Sequence, residues 1–283
     1  MIKADIYFHS ILNEIIENGI WSKEPRTRWS DGSPAYYKSI KQKNLRYNIL
    51  DGEFPVNTIR KTALRGAFYD IEAIYIKQTN LISEMHPSIH SWWLPFVVKD
   101  DSIGQTYGHT VKRYDLMNRL LFGMEHNPEG RRHIINLWQE QQMIEDPAAL
   151  VPCAYLTEWS VEVTPNKNFV DQTLIQRSMD FLMTSSINPA QYVMLGMMVC
   201  NHLTWRTKKH HVLRMFEHHI QDIHIYDRHM MNLPLIKAAR MDTKQPEIKM
   251  IAETKDFYAH NWQSFKIFNQ VKNEVKLNLE IAI

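Results

Sequence analysis

Apolar residues recur at helical spacing in three stretches of the chain. They cover residues 3–18, which stop at Gly19, residues 111–124, and residues 189–203, which carry Pro189 in the first turn. The first two stretches have one apolar face, whereas the third is apolar on nearly every side. The pattern therefore predicts two amphipathic helices and one buried helix.

A second pattern, in which apolar and polar residues alternate, predicts strands. It is clearest in residues 153–163, and shorter strand-like stretches lie at 170–178 and 220–226. Strands clustered between long helices predict an α+β fold with an antiparallel or mixed sheet. The chain has no internal repeat and no Gly/Ser-rich linker, so we expect residues 1–283 to form a single domain.

Composition and charge narrow the classes of function. The hydrophobic fraction is 44%, and 33 basic residues against 31 acidic ones give a net charge of +2, so we expect no nucleic acid partner. No apolar run approaches the ~20 residues that span a membrane, and the start lacks an export signal. With only two cysteines, a disulfide scaffold is excluded. We expect a soluble cytoplasmic protein.

The segment VPCAYLTEWSV, residues 151–161, places Cys153 directly after a proline at the entry to a predicted strand. Two interpretations remain open: a small thiol packed in the core, or a nucleophile that faces a cleft. A nucleophilic cysteine needs a positive neighbour, because positive charge favours the thiolate. Cys200 lies within an apolar helix, where core packing is expected.

Arginines offer that positive charge at three places: Arg26 in a polar loop, the pair Arg131-Arg132, and Arg177, which Ser178 follows. Arginine beside a hydroxyl suits a phosphate, although each arginine is also compatible with an ordinary surface position.

Polar groups of a second kind lie on the strand-like stretch at 220–226. His224 and Tyr226 share one face of that strand and could contact a ligand hydroxyl. The histidines of residues 210–229 complete no zinc pattern, so we expect no metal.

In order and spacing, these segments resemble the thymidylate synthase family along nearly the whole chain. The matching segments are Arg26-Thr27, Asp51-Gly52, Phe54-Pro55, Leu64-Arg65, Gly104-Gln105-Thr106-Tyr107-Gly108, Asn127-Pro128-Glu129-Gly130-Arg131-Arg132, Pro152-Cys153, Gln176-Arg177-Ser178-Met179-Asp180, Asn188, Tyr192, Asp222-Ile223-His224-Ile225-Tyr226 and Ala282-Ile283.

The resemblance implies a large mixed sheet flanked by helices, and an obligate homodimer formed through the sheets. It implies a folate-dependent enzyme that transfers one carbon from 5,10-methylenetetrahydrofolate, its co-substrate, to carbon 5 of dUMP, with no metal. Cys153 would attack carbon 6 of the base, which turns carbon 5 into a nucleophile. The products would be dTMP and dihydrofolate.

The resemblance also assigns site residues. Those implied for catalysis are Cys153, Asp70, Tyr107, Asn188 and Arg177. Those implied for the nucleotide are Arg26, Gln176, Arg177, Ser178, Asn188, His224 and Tyr226, together with Arg131 and Arg132 donated by the partner subunit. Those implied for the folate are Trp93, with Trp92 as a close alternative, and Leu150, Asp180, Thr184 and Ala282.

Departures from the family lie on the folate side. Asp70 stands where the family has a glutamate, with Glu72 as the weaker candidate for that role. Thr184 replaces a glycine, Ile187 an aromatic residue and Phe96 a tryptophan. They leave open a related hydroxymethylase, which gives 5-hydroxymethyl-dUMP and tetrahydrofolate. A non-catalytic nucleotide- or RNA-binding relative is the alternative of another class.

Overall fold

A mixed β-sheet with helices packed on it forms the centre of the structure, a computed structural model. The parts of the chain that it describes are residues 1–145, 150–239, 241–252, 254–271, 275–277 and 279–283. Their α-helices are α1 Lys3–Asn18, α2 Leu64–Ile71, α3 His90–Trp93, α4 Gly108–Arg113, α5 Leu116–His126, α6 Glu140–Glu145, α7 Phe181–Thr184, α8 Ile187–Thr207 and α9 Leu233–Lys237. A π-helical turn, Glu72–Ile76, continues α2.

Short 3₁₀ helices join several of these helices. They are Ile82–Glu84, Pro87–Ile89, Leu94–Phe96, Asp227–Asn232, Phe257–Ala259 and Trp262–Ser264. The strands are β1 Ile20–Trp21, β2 Tyr37–Asn48, β3 His133–Asn136, β4 Ala154–Val163, β5 Asn168–Gln176, β6 Met179–Asp180, β7 His211–Tyr226, β8 Glu247–Met250 and β9 Phe265–Phe268.

The order of the strands explains where a site can form. The main sheet runs β1-β2-β7-β5-β4-β3, with β6 beside β7, and β8 pairs with β9 separately. β5 and β7 are parallel, whereas β4 is antiparallel to β5. The C-terminal ends of β5 and β7 and the beginning of β4 therefore lie at the same end of the sheet. The fold is α+β with a large mixed sheet, as the sequence predicts.

Helix α8 packs closely on the sheet through its apolar surface. A Cβ atom at Gly196 would lie 2.7 Å from Gln172 Oε1 and 2.9 Å from a methyl group of Leu213, so a side chain there requires its neighbours to shift. Cys200 lies in the same layer and is 5% exposed, which confirms its predicted place in the core. Burial raises the pKa of its thiol.

Two predicted elements differ from those observed. The stretch 111–124 is not one helix: α4 ends at Arg113 and α5 begins at Leu116. Asp115 between them has φ +51° in the left-handed region, which interrupts the helix although the apolar spacing continues. The strand predicted at 220–226 is the last part of the 16-residue β7, whose first half includes polar residues such as the buried His218.

Candidate functional site

A cavity of about 390 Å³ opens at the end of the sheet where β4 begins and β5 and β7 end. The first residues of α8 and the face of α2 close its other side. This volume suits a small organic ligand. Its lining includes Arg26, Asp70, Trp92, Trp93, Phe96, Tyr107, Leu150, Cys153, Gln176, Arg177, Ser178, Asp180, Thr184, Ile187, Asn188, Gln191, Tyr192, His224, Tyr226, Ala282 and Ile283.

The thiol of Cys153 lies against a guanidinium group at the polar end of this cavity. Arg177 Nη2 is 3.5 Å from Cys153 Sγ. Burial raises the pKa of Cys153, and the charges of Arg177 and Arg26 oppose that rise. The arrangement therefore supplies the positive neighbour that a nucleophilic cysteine needs, and it favours the cleft-facing interpretation of Cys153 over core packing.

Main-chain carbonyl groups hold Arg177 in this position. Its Nε atom donates to Pro152 O at 2.9 Å and Nη2 donates to Val151 O at 3.0 Å. Its backbone N–H donates to Cys153 O at 2.9 Å, which ties the end of β5 to the segment before β4. The guanidinium carbon also lies 5.5 Å from the ring centre of Trp138. One charge is thus aimed by contacts that only an arginine can make together.

Side chains from the end of β7 line the neighbouring part of the cavity. His224 Nδ1 is 3.0 Å from Asp222 Oδ1, and the His224 and Tyr226 rings meet edge to face with centres 5.0 Å apart. Tyr37 packs against both rings. Burial raises the pKa of Tyr226 to about 12, so its phenol is neutral near pH 7. The imidazole and the phenol lie together, as the strand pattern predicts.

The carboxyl group of Asp70 is the acidic group on the α2 side of the cavity. Its Oδ1 accepts from Trp93 Nε1 at 2.9 Å, and its Oδ2 accepts from Gln191 Nε2 at 2.8 Å. Burial raises the pKa of Asp70 to about 7, and the two hydrogen bonds oppose this rise. Such a pKa suits a group that both takes up and releases a proton near neutral pH.

Apolar and aromatic side chains form most of the wall around Asp70. Tyr107, which is 8% exposed, packs edge to face on Trp93 with ring centres 5.2 Å apart. At the far end, Asp180 caps α7 by accepting from the backbone N–H of Met183 at 3.3 Å. Thr184 Oγ1 donates to the backbone oxygen of Asp180 at 2.9 Å. A flat, largely apolar ligand suits this wall.

The C-terminal segment forms part of the cavity lining. The backbone of Ile283 pairs in both directions with Arg28, at 2.6 and 2.9 Å. Glu280 accepts from Arg228 Nη1 at 3.1 Å and from Ser30, and the Arg228 guanidinium stacks on Trp29. These contacts hold Ala282 and Ile283 against the ligand space.

Nearly all the residues that the resemblance assigns to the site line this one cavity. Arg131 and Arg132 do not, because both are exposed on the segment before β3. Glu72 also lies elsewhere, 3.4 Å from Lys77, which leaves Asp70 as the carboxylate of this wall. Trp92 and Trp93 both line the cavity, but it is Trp93 that bonds to Asp70.

Two contributors were missed in the sequence. Gln191 bonds to Asp70, and Trp138 stacks on Arg177. The sequence could have indicated Gln191, since it follows Asn188 by three residues and so lies on the same side of α8. Trp138 carries none, because its contact depends on how β3 and β5 are arranged.

The described ranges contain neither a group of metal-binding side chains nor a membrane-spanning helix. Within them, no group of three or more His, Cys, Asp or Glu side chains could hold a metal ion. None of the helices that the structure describes is both long and apolar enough to span a membrane.

Comparisons with known proteins agree with this geometry. The family model for thymidylate synthase matches residues 6–283. The chain is 34% identical to a thymidylate synthase of Streptococcus thermophilus, with 99% of this chain and 100% of that protein covered. It is 32% identical to one of Lactococcus lactis subsp. cremoris at the same coverage. Thermostable thymidylate synthase A from Bacillus subtilis has a similar structure, with a TM-score of 0.83, 29% identity and 99% of each chain covered. The chain belongs to the thymidylate synthase family.

Proposed function

We propose that this protein is a thymidylate synthase that converts dUMP and 5,10-methylenetetrahydrofolate to dTMP and dihydrofolate. The observation that carries the proposal is the Cys153 thiol 3.5 Å from Arg177 Nη2, in a cavity that also contains Asn188 and Asp70. A nucleophile, a cation, an amide and a carboxyl group are the set that this reaction needs.

The polar end of the cavity suits the nucleotide. Arg26, Arg177 and Ser178 offer guanidinium and hydroxyl donors to a phosphate. His224 and Tyr226 lie where they can bond to a sugar hydroxyl. Gln176 lines the same end, and its Nε2 donates to the backbone oxygen of Ser178 at 2.8 Å, which fixes the turn after β5.

Asn188 and Cys153 would act on the base itself. The Asn188 amide can donate to a uracil carbonyl and accept from the ring N–H, whereas an aspartate would suit cytosine. Cys153 Sγ forms a bond to carbon 6 as a thiolate, and the electrons of the ring double bond move onto the carbonyl oxygen. Carbon 5 becomes nucleophilic and uses these electrons for its bond to the new carbon. The electron pair that arrives with the hydride later re-forms the ring double bond and expels the thiolate.

Asp70 and Tyr107 would handle protons on the opposite side of the base. Carbon 5 must lose its proton after it gains the new carbon, and Asp70 can receive a proton through water because its pKa is about 7. Tyr107 lies beside Trp93 and near Cys153, where its hydroxyl can order that water.

The apolar wall fits a folate as co-substrate. Folate carries a flat ring system, and the wall offers aromatic and aliphatic surface from Trp93, Leu150, Thr184 and Ala282, with the Asp180 carboxyl at its end. When bound, methylenetetrahydrofolate supplies the one-carbon unit and the hydride that reduces it. The C-terminal segment lines the same cavity through Ala282 and Ile283, and it would exclude water from the reaction.

We also propose that the protein acts as a homodimer formed through its sheets. One face of the main sheet carries Leu156, Ile175 and Met215, which are only half-buried. Arg131 and Arg132 are both exposed. Across such an interface they would complete the phosphate site of the partner subunit.

Product analysis tests the proposed function. The protein is incubated with dUMP and methylenetetrahydrofolate, the nucleotide is identified by its mass, and dihydrofolate is measured. We expect dTMP and dihydrofolate in equal amounts. Hydroxymethyl-dUMP without dihydrofolate would show a hydroxymethylase, and no release of tritium from labelled carbon 5 would show a non-catalytic relative.

A further inference from the structure

Gln191 is a buried polar residue of the cavity that has no role in the mechanism above. It lies on the first turns of α8, three residues after Asn188, and is 9% exposed. Its Nε2 donates to Asp70 Oδ2 at 2.8 Å, and this contact joins α8 to the end of α2. The side-chain amide of Gln191 therefore makes its hydrogen bond to the carboxyl group of Asp70.

The second oxygen of Asp70 is held in a similar way. Trp93 Nε1 donates to Oδ1 at 2.9 Å, so each oxygen accepts one N–H from a different helix. Two donors on opposite oxygens fix both the position and the plane of a carboxyl group. Both N–H groups also favour its ionised form, because a carboxylate oxygen accepts a hydrogen bond more strongly than an oxygen of the neutral acid.

We propose that Gln191 is a positioning residue of the one-carbon transfer: its carboxamide holds the Asp70 carboxyl group in the cavity and favours its ionised form. This inference rests on the proposed function of Asp70 as a proton carrier. Gln191 would not contact the reacting atoms, and it would act through Asp70 alone.

The length of the two side chains supports the pairing. Aspartate is one methylene shorter than glutamate, so its carboxyl group stays closer to α2. The glutamine side chain has two methylene groups before its amide and spans the remaining gap from α8. Serine or alanine at position 191 would be too short to reach Asp70.

The hydrogen bond from Gln191 is one of two contacts that lower the pKa of Asp70. Burial raises that pKa to about 7, and the donors that oppose the rise are Trp93 and then Gln191. Neighbouring elements contribute other titratable or charged groups to the same cavity. They are Arg26, Tyr107, Cys153, Arg177, Asp180, Tyr192, His224 and Tyr226.

The first test measures the Asp70 carboxyl group in the resting protein. Carbon-13 NMR of protein labelled at aspartate carboxyl groups, with Asp70→Asn to assign the signal, gives the pKa of Asp70. Gln191→Met keeps the length of the side chain and removes the donor. We expect the pKa of Asp70 to rise by about one unit. A pKa within 0.3 units of the wild-type value, an approximate limit of such titrations, would overturn the proposal.

The matched control is Gln245→Met. Gln245 is a half-buried glutamine whose Nε2 likewise donates hydrogen bonds, here to main-chain oxygens at Phe54, Val56 and Pro246, but it does not line the cavity. We expect it to leave the Asp70 titration unchanged.

If Gln191→Met does not fold, Gln191→Glu serves instead. Two adjacent carboxyl groups then share one proton, and one apparent pKa rises further. Two independent titrations at ordinary values would contradict the contact.

The second test uses turnover. If the wild type makes dTMP, Gln191→Met should shift the Asp70-dependent limb of its kcat/KM profile upward by the unit seen in the NMR titration. A uniform loss of activity at every pH, with no shift, would indicate a merely structural role and overturn the proposal. The NMR titration needs no catalysis, so it separates a failure of this inference from a failure of the proposed function.

Discussion

The two walls of the cavity are built in different ways. On the wall proposed for the nucleotide, main-chain groups at one end of the sheet position the functional side chain, and Arg177 donates three hydrogen bonds to main-chain oxygens of the segment 151–153. On the wall proposed for the folate, side chains hold side chains: Asp70 depends on Trp93 and Gln191, which come from two helices.

This difference suggests how each wall responds to substitution. A position held by the main chain keeps its geometry when neighbouring side chains change, so the chemistry there depends on the identity of one residue. A position held by other side chains changes whenever one of them is replaced. Substitutions on the nucleotide wall should therefore either abolish activity or leave it nearly unchanged. Substitutions on the folate wall should lower activity by intermediate amounts. The departures from the family that the sequence shows lie on the second wall.

The largest expected effect is on the first wall. Cys153→Ser removes the nucleophile and keeps nearly the same shape, so we expect turnover to fall by about 10⁴-fold or more while nucleotide binding and assembly persist. Steady-state kinetics and calorimetry with dUMP measure the two properties. Cys200→Ala, in the core, is the control and should retain activity. Substantial turnover by Cys153→Ser would refute the covalent route.

Asp70→Asn on the second wall should lower kcat by about 10²- to 10⁴-fold, because the amide cannot carry the proton. The nucleotide should still bind with nearly unchanged affinity, since Asp70 lies on the other wall. Steady-state kinetics for kcat and a separate binding measurement of the Kd for dUMP check this. Loss of dUMP binding of the same size as the loss of kcat would show that the two walls are not separate.

The same substitution should stabilise the fold at high pH. The pKa of Asp70 is raised from its ordinary value of 3.8 to about 7. Its contribution to stability is thus fully present below pH 4 and is lost as the pH rises through 7. Asp70→Asn removes that loss, so we expect a gain of about 2 kcal/mol at pH 8 that disappears toward pH 4. Denaturant unfolding at several pH values measures it, and a gain independent of pH would be inconsistent with a buried carboxylate.

Much of the first wall could be predicted from the sequence, because its residues lie in short motifs. The entry of Cys153 into a strand and the shared face of His224 and Tyr226 follow from local patterns, and the structure brings them to one cavity. Helix α1 and the α+β class were likewise predicted by periodicity. Periodicity could not reveal the break at Asp115, since apolar residues keep the same spacing on both sides of it.

The second wall could be predicted only in part, because its contacts join distant parts of the chain. Asp70 and Gln191 are 121 residues apart, and only the packing of α2 on α8 brings them together. Arg228 and Glu280 are 52 residues apart and show no joint pattern. The roles of Arg131 and Arg132 stay a prediction, because they depend on a second subunit.

A smaller effect is expected for the residue that would recognise the base. Asn188→Asp replaces the amide that suits uracil with a carboxyl group that suits cytosine. We expect the ratio of kcat/KM for dUMP to that for dCMP to fall by about 10- to 100-fold. Competition assays with both nucleotides measure that ratio. Unchanged selectivity would mean that Asn188 does not recognise the base edge.

The smallest effect is expected at the C-terminal segment. Glu280 accepts hydrogen bonds from Ser30 and Arg228, and these bonds lower its pKa. Glu280→Gln weakens both contacts without shortening the side chain, so the segment should cover the folate wall less often. We expect KM for the folate to rise by about two- to fivefold, the usual range for exposed pairs, with KM for dUMP unchanged. Glu14→Gln, which breaks the comparable pair with Lys43 far from the cavity, is the control. An equal rise in both KM values would show that the segment closes over the two walls together, and the distinction between them would then end at the mouth of the cavity.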